Sequence, residues 1–331
     1  VIDEVRLAYA ALATHGKAEH GGLVTLAVDS VDGAWVAMDE HSRQHLLLQT
    51  ESEIDIDPGV TTLAVSTRPL RIAGRNNRVV DITCLFASLS EVFDHFAAAV
   101  IQRIAVAANE PAEAVKSVLA SWKSFLVPPS GPPSLDKIAA ILGELLVVRD
   151  AVKNSGLVDI GFWSGPFGQR HDLRGGVTAM EVKTTRAHTG YRVTVHGEDQ
   201  LLPPEGGQLY LHFVRLEAVH GGPLRLTAVV DELLEAGVPA EQLFRALTAS
   251  GIPAVDLPAT DKTTFDLLER VTLPVDDQTP RIIPGSFSGG QRPQGVVDIS
   301  YVIDLCHTAD RALGENEYKV ITRTVATGQT A

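Results

Sequence analysis

The chain has 331 residues, 45% of them hydrophobic, and a formal net charge of −13. That length points to two domains or one elaborated domain, and the apolar content excludes a disordered chain. The charge counts against a protein that coats nucleic acid non-specifically, because such binding runs on phosphate neutralisation, but it leaves room for an enzyme with a local basic groove.

Residues 1–87 read mainly as strands, with no signal-peptide pattern in Val1-Ile2-Asp3-Glu4-Val5-Arg6. Segments 22–28, 34–38, 45–49, 62–65 and 79–84 are rich in β-formers and are separated by turn signals at Asp32-Gly33, Pro58-Gly59 and Asn76-Asn77, which predicts an antiparallel sheet. Ser88 followed by Glu91 reads as a capping box opening a helix, and a second helix is expected from about Asn109 to Leu126, with Asn109 as its cap and Pro111 in its first turn. Four prolines and a glycine in Val127–Pro133 can continue neither helix nor sheet, so this is the best boundary in the chain.

Ser134 can cap the next helix, whose wide apolar face should pack on a sheet and which carries Glu144 beside Gly143. Strands are expected at about 157–163, 169–174, 177–185, 190–196 and 207–215, helices near 226–236 and 240–250, and further strands at 271–275, 296–304 and 320–325. The fold class is thus α/β or α+β, a central mixed sheet flanked by helices and preceded by a β-rich N-terminal domain. The expected division is 1–127, a Pro-rich linker at 128–133, a core at 134–250 and a C-terminal α+β extension at 251–331 packed on that core. No apolar run approaches bilayer length, and Cys84 and Cys306 form no C-x-x-C, which fits two thiols in a reducing cytoplasm.

The chemistry concentrates in His171–Thr185. This stretch reads as a β-hairpin with Asp172 near the end of one strand, a turn at Gly175-Gly176, and Glu181-Val182-Lys183 on the second strand. Strand alternation points Glu181 and Lys183 to one face, and the turn returns Asp172 towards them. Two carboxylates and a lysine suit phosphodiester hydrolysis, in which a magnesium ion lowers the pKa of a water and the lysine stabilises negative charge. The Val182 carbonyl, between the two side chains, is a candidate for the metal shell. The bland alternative is a solvated strand pair. A rival match, Asp310 with Glu317-Tyr318-Lys319, lacks the strand, the turn and the upstream helix.

Helix, hairpin with D…ExK, strand and helix is the pattern of the PD-(D/E)XK nuclease superfamily. Gly143-Glu144-Leu145-Leu146, Trp163-Ser164-Gly165-Pro166, His171-Asp172-Leu173, Met180–Thr185, Glu198–Leu201 and Gly207–Leu211 more closely resemble a bacterial family of PD-(D/E)XK motif proteins found among restriction and phage-defence genes. That resemblance implies a nuclease-like core, dependence on Mg²⁺ (or Mn²⁺ in its place), DNA as substrate, a cytoplasmic setting, and methyltransferase or ATPase partner subunits, with a homodimer as a further possibility and no membrane. It implies Asp172 and Glu181 as metal ligands, Lys183 as the catalytic lysine, Glu144 as the helix glutamate facing the metal or its water, and Gln200 as a group that contacts DNA or orients Lys183. One departure is that His171, not proline, precedes Asp172. The expected function is a Mg²⁺-dependent DNA endonuclease; the alternative is a catalytically inactive nuclease-fold subunit that binds DNA or acts as a scaffold.

Thr184, Thr185 and Arg186 continue the active strand and are candidates to meet phosphate, as are Arg71, Arg75 and Arg78 in the arginine-rich stretch 68–78, against the reading of a solvated turn. His171 and His188 read most simply as solvated side chains. Phe287–Gln291 resembles an ABC-transporter signature, but no P-loop is present, so it reads as a flexible loop.

Overall fold

The computed structural model describes residues 1–15, 18, 21–51, 53, 55–107, 110–128 and 131–329. The chain forms two compact units, Val1–Ser130 with Pro253–Asp256, and Gly131–Ile252 with Leu257–Ala331.

The first unit opens with a helix, α1 (Ile2–Thr14), in a stretch read as mainly strands and given no element of its own before residue 22. Val5, Tyr9 and Leu12 recur at helical spacing and bury one face, a period that the search for β-formers passes over. Five antiparallel strands follow: β1 (Leu23–Ala27), β2 (Ala34–Asp39), β3 (Gln44–Gln49), β4 (Leu63–Ile72) and β5 (Arg75–Cys84), in the order β1-β2-β3-β5-β4. Residues 68–78 are therefore a hairpin, not a loop. Its turn is Ala73-Gly74, both left-handed at φ 48° and 80°, as a two-residue type I′ turn requires, and Asn76 and Asn77 lie within β5.

A 3-10 turn (Ala87–Leu89) leads into α2 (Ser90–Ala107), so Ser88 does not cap that helix. α3 runs only over Pro111–Trp122, with Pro111 in its first turn; Asn109 lies outside the described residues, as do Pro129 and Ser130 of the linker. Phe125 and Leu126 are buried beyond the helix end. The aromatic chain Phe93, Phe96, Trp122 and Phe125, with centroids 5.5 to 6.1 Å apart, anchors the core of this unit.

The second unit begins with α4 (Leu135–Ser155). The Ser134 hydroxyl oxygen accepts from the Lys137 amide at 3.2 Å, and Gly156 in the left-handed region ends the helix. Next come β6 (Leu173–Gly175), β7 (Thr178–Thr185), β8 (Arg192–His196), β9 (Gln208–Ala218), α5 (Leu226–Glu235), α6 (Ala240–Ala249), α7 (Leu257–Thr260), β10 (Phe265–Pro274), β11 (Ser300–Asp304) and α8 (Glu315–Thr327). The sheet β10-β9-β7-β6 is mixed: β7 and β9 are parallel and the other pairs antiparallel. Both α4 and α8 pack against β7. The architecture is mixed α+β.

Three expectations are corrected. Residues 157–163 form no strand and contribute only the isolated bridge Trp163–Leu173. β8 leaves the main sheet and pairs with β11 instead. Residues 320–325 lie in α8, whose buried Tyr318, Ile321, Thr322 and Val325 keep helical spacing despite the β-branched run. The core also takes in residues after 250, since β10 is an edge strand of the sheet and α8 covers β6 and β7.

Candidate active site

The site is built around the β6–β7 hairpin. Its two-residue turn is Gly176-Val177, with Gly176 at φ 58°, the sign that a type II′ turn demands of its first central residue. Gly175 answers a different need: a Cβ there would lie 1.9 Å from the Val325 carbonyl oxygen of α8. The pair thus allows both the turn and the close approach of a helix.

The ladder between β6 and β7 ends at Leu173–Met180, and Asp172 lies just beyond it. There the Asp172 side chain takes over from backbone: its Oδ2 accepts from the Val182 amide at 2.7 Å. The Ser164 and Gly165 amides hold the Asp172 carbonyl at 2.8 and 2.9 Å, and a Cβ on Gly165 would meet the Asp172 Cα at 2.8 Å. Amide and carbonyl of one strand residue leave on the same edge, so the Val182 carbonyl faces the side on which Asp172 sits.

Glu181 and Lys183 share a face of β7, as alternation predicts, and Lys183 Nζ lies 3.0 Å from Glu181 Oε1. Gln200 Oε1 accepts from Lys183 Nζ at 2.8 Å and from the His196 amide at 2.9 Å, so Gln200 orients the lysine. Glu144 arrives from α4. Its neighbour Gly143 lets the helix settle on β7, since a Cβ there would lie 2.0 Å from Thr184 Oγ1. The Trp163 indole N–H donates to Glu144 Oε2 at 2.8 Å. Sequence reasoning missed that role; Trp163 stood out only as part of the Trp-Ser-Gly-Pro run.

The three carboxyls share an unfavourable environment. Burial pushes Glu144 up to about 8, with the nearby Asp172 charge adding to it and the Trp163 hydrogen bond opposing it. Burial also raises Asp172, against the Val182 amide and Lys183. Glu181, 1% exposed, is raised well above the carboxylate range by burial and by Asp172. Two carboxyls raised by the charge of a third, with one lysine beside them, lack positive charge.

Among the described residues no three His, Cys, Asp or Glu side chains are gathered as a ready-made metal cage. The donors nevertheless fit a hard divalent cation. Glu181 Oε2 is buried without a hydrogen-bond partner, and oxygen donors from Asp172, Glu181 and the Val182 carbonyl match magnesium, which keeps several waters and takes only one or two carboxylates.

The other candidates are placed differently. Thr184 faces α4 at Gly143, and its Oγ1 is buried without a partner. Thr185 Oγ1 accepts from the Ala187 amide, and Arg186 Nε pairs with Asp136 at 2.7 Å. Arg71, Arg75 and Arg78 are exposed on the β4–β5 hairpin of the first unit. His171 is not solvated: it is buried, its Nε2 lies 3.1 Å from the Leu202 carbonyl, and burial lowers it to about 4. His188 is exposed, 3.5 Å from Glu217. The rival Glu317 and Lys319 lie on α8, where Lys319 pairs with Glu315.

No helix among the described residues is long and apolar enough to cross a membrane. Neither the curated proteins nor the solved structures contain a match to the chain. Residues 6–306 match the family described as "Putative PD-(D/E)XK family member (DUF4420)". With the acid–turn–ExK hairpin in place and nearly all of the chain matched, the protein belongs to this PD-(D/E)XK family.

Proposed function

We propose that the chain is a metal-dependent DNA endonuclease that hydrolyses phosphodiester bonds, acting in a bacterial restriction or phage-defence setting beside methyltransferase or ATPase subunits. The observation that carries this reading is the meeting of buried Glu181 and half-buried Asp172 and Glu144 with a lysine tethered by Glu181 and Gln200. Asp172, Glu181 and the Val182 carbonyl would hold Mg²⁺ or Mn²⁺, with Glu144 facing the ion or its water. The ion supplies Lewis acidity and a water of lowered pKa.

The rest falls to the chain. Gln200 and Glu181 keep the Lys183 ammonium pointed into the site, where it stabilises the charge that develops on phosphate oxygen. Trp163 holds one Glu144 oxygen and leaves the other to take a proton. Thr185 at the end of β7 and Arg186 just beyond it would meet the DNA backbone, Arg186 on leaving Asp136.

Plasmid cleavage by purified protein, with its partners, tests this. Nicking that needs Mg²⁺ and disappears in Lys183→Ala and Asp172→Ala is the expected result; cleavage unchanged in either variant overturns the assignment. A second reading, a nuclease-fold subunit that binds DNA or serves as a scaffold without cutting, draws on the net charge of −13, which makes tight DNA capture by the chain alone unfavourable. Calorimetric titration with Mg²⁺ or Mn²⁺ separates the two: binding lost in Glu181→Ala supports the enzyme, and no binding supports the scaffold.

A further inference from the structure

Gln200 belongs to the site, but the strand that leads to it does not belong to the sheet that builds the site. β8 forms no ladder with β10-β9-β7-β6 and pairs only with β11, in a sheet of two strands. Residues 197–202 follow β8 and carry Gln200, whose Oε1 accepts from Lys183 Nζ at 2.8 Å. A two-stranded ribbon is marginally stable by itself. Whatever fastens 197–202 therefore decides how firmly Gln200 holds the lysine.

The fastenings come from the stretch between β10 and β11. Residues 275–299 hold no strand or helix beyond a 3-10 turn at Pro284–Ser286, and two of their arginines reach 197–202. Arg292 grips Glu198 as a fork. Its Nε lies 2.9 and 3.1 Å from the two carboxylate oxygens and its Nη2 2.5 Å from Oε2, while Nη1 donates to the Val297 carbonyl at 2.9 Å. Glu198 is buried, and the Arg292 bond holds its carboxyl below the usual carboxylate range. Arg281 Nη1 donates to the Leu201 carbonyl at 3.1 Å, and the Gly197 amide donates to the Ile299 carbonyl at 2.7 Å. The chain is thus tied on both sides of Gln200. A largely buried ion pair adds little net stability once desolvation is counted, whereas a planar two-pronged fork fixes direction. The Arg292–Glu198 pair suits aiming better than it suits stabilising.

We propose that Arg292 and Arg281 are positioning residues: the 275–299 strap holds residues 197–202 through Glu198 and Leu201, and Gln200 in turn holds the Lys183 ammonium. What the lysine is held for rests on the nuclease reading; that it is held does not. The two arginines bond to Glu198, to Asp277 and to the Val297 and Leu201 carbonyls, so they act on the lysine through Gln200. Arg311 offers the contrast. It pairs with Asp276 at the start of the strap and supplies no bond to 197–202 among the described residues.

The test reads the lysine directly, without metal or DNA. The full chain is acetylated in EDTA and the rate at Lys183 is followed by peptide mass spectrometry, with the exposed Lys116 as internal reference. Gln200→Ala removes one of the ammonium's two bonds and should speed labelling of Lys183 about tenfold, the worth of one hydrogen bond to a charged group. Arg292→Met should give most of that rise, and Arg292→Lys, which keeps the charge without the fork, should give less. Glu198→Gln cuts the same link from the other side and serves if Arg292→Met does not fold. Adding Arg292→Met to Gln200→Ala should change nothing further, and Arg311→Met should label at the wild-type rate. Wild-type labelling in Gln200→Ala overturns the proposal, as does wild-type labelling in whichever of Arg292→Met and Glu198→Gln folds. So does a further rise in the double variant, or an equal rise in Arg311→Met, the sign of general loosening. In plasmid cleavage Arg292→Met should lower kcat and leave KM unchanged. The expected labelling pattern in a protein that never cuts counts against the nuclease alone; Mg²⁺-dependent cleavage with Lys183 indifferent to Arg292 counts against the strap alone.

Discussion

Trp163 carries no titratable group, yet it sets the state of Glu144. Its indole donates to a carboxyl that burial pushes to about 8. Without that donor the carboxylate form loses a charge-assisted hydrogen bond of roughly 1.5–3 kcal/mol, and the carboxyl rises further. Trp163→Phe should therefore lower cleavage about tenfold near pH 7 and recover part of it as the pH rises, because alkali restores the ionised form. A pH–rate profile shifted in parallel at every pH would mean that Trp163 acts by packing alone. At this scale the sequence was informative where periodicity does the placing: Glu181 and Lys183 share a face because a strand repeats every two residues, and Asp172 returns because the chain turns next to the glycine pair, at Gly176-Val177 and not at Gly175-Gly176. The Trp163–Glu144 bond was not legible, because it depends on how far along α4 the loop comes to rest. Nor was the burial of His171, which a turn-flanking position does not announce.

Elements meet where side chains are missing. Gly143 brings α4 onto β7, and Gly143→Ala would force its new methyl into Thr184 Oγ1. Overpacking of this kind typically costs about 1–3 kcal/mol, so the variant should unfold at lower urea, and Gly143→Ala with Thr184→Ala should recover part of the loss. On α2, neighbouring residues oppose each other with pH. Burial raises Asp94 to about 7, so its folded form favours the proton; the stability it supplies is complete below about pH 4 and disappears as the pH rises through 7. Burial and the nearby Arg6 charge lower His95 to about 4, so its stability is complete above about pH 6.5 and is lost as the pH falls towards 4. The two windows overlap and partly cancel. Asp94→Asn should consequently stabilise the protein at pH 8 and change little at pH 4, as melting temperatures across that range would show. Helix–strand assignment failed where composition and period disagree. Val320-Ile321-Thr322 has the β-branched content of a strand, but burial at 318, 321, 322 and 325 follows a helix. The Arg68–Arg78 stretch looks like a loop because it is polar, although alternation and the Ala73-Gly74 turn make it a hairpin.

At the scale of the whole molecule, a net charge of −13 sets the terms on which DNA could be held. Retention of plasmid should be weak in EDTA, strengthen with Mg²⁺ or a partner subunit, and fall steeply between 50 and 200 mM salt only if several phosphates are contacted. Tight, salt-insensitive retention without divalent ions would contradict this. The mixed α+β class followed from the order of elements. The membership of the β6–β7 sheet did not, because β10 and α8 join it from beyond residue 250. A fragment of residues 131–250, without β10 and α8, should lack a cooperative melting transition by circular dichroism. The seat of α8 against Gly175 has a consequence for how the protein is made. During translation the Asp172–Lys183 hairpin emerges well over a hundred residues before residues 315–327, which cover it. Until that later helix docks, the hairpin lacks its covering layer, so the site would be complete only once residues 315–327 have been made, and not when the hairpin first emerges.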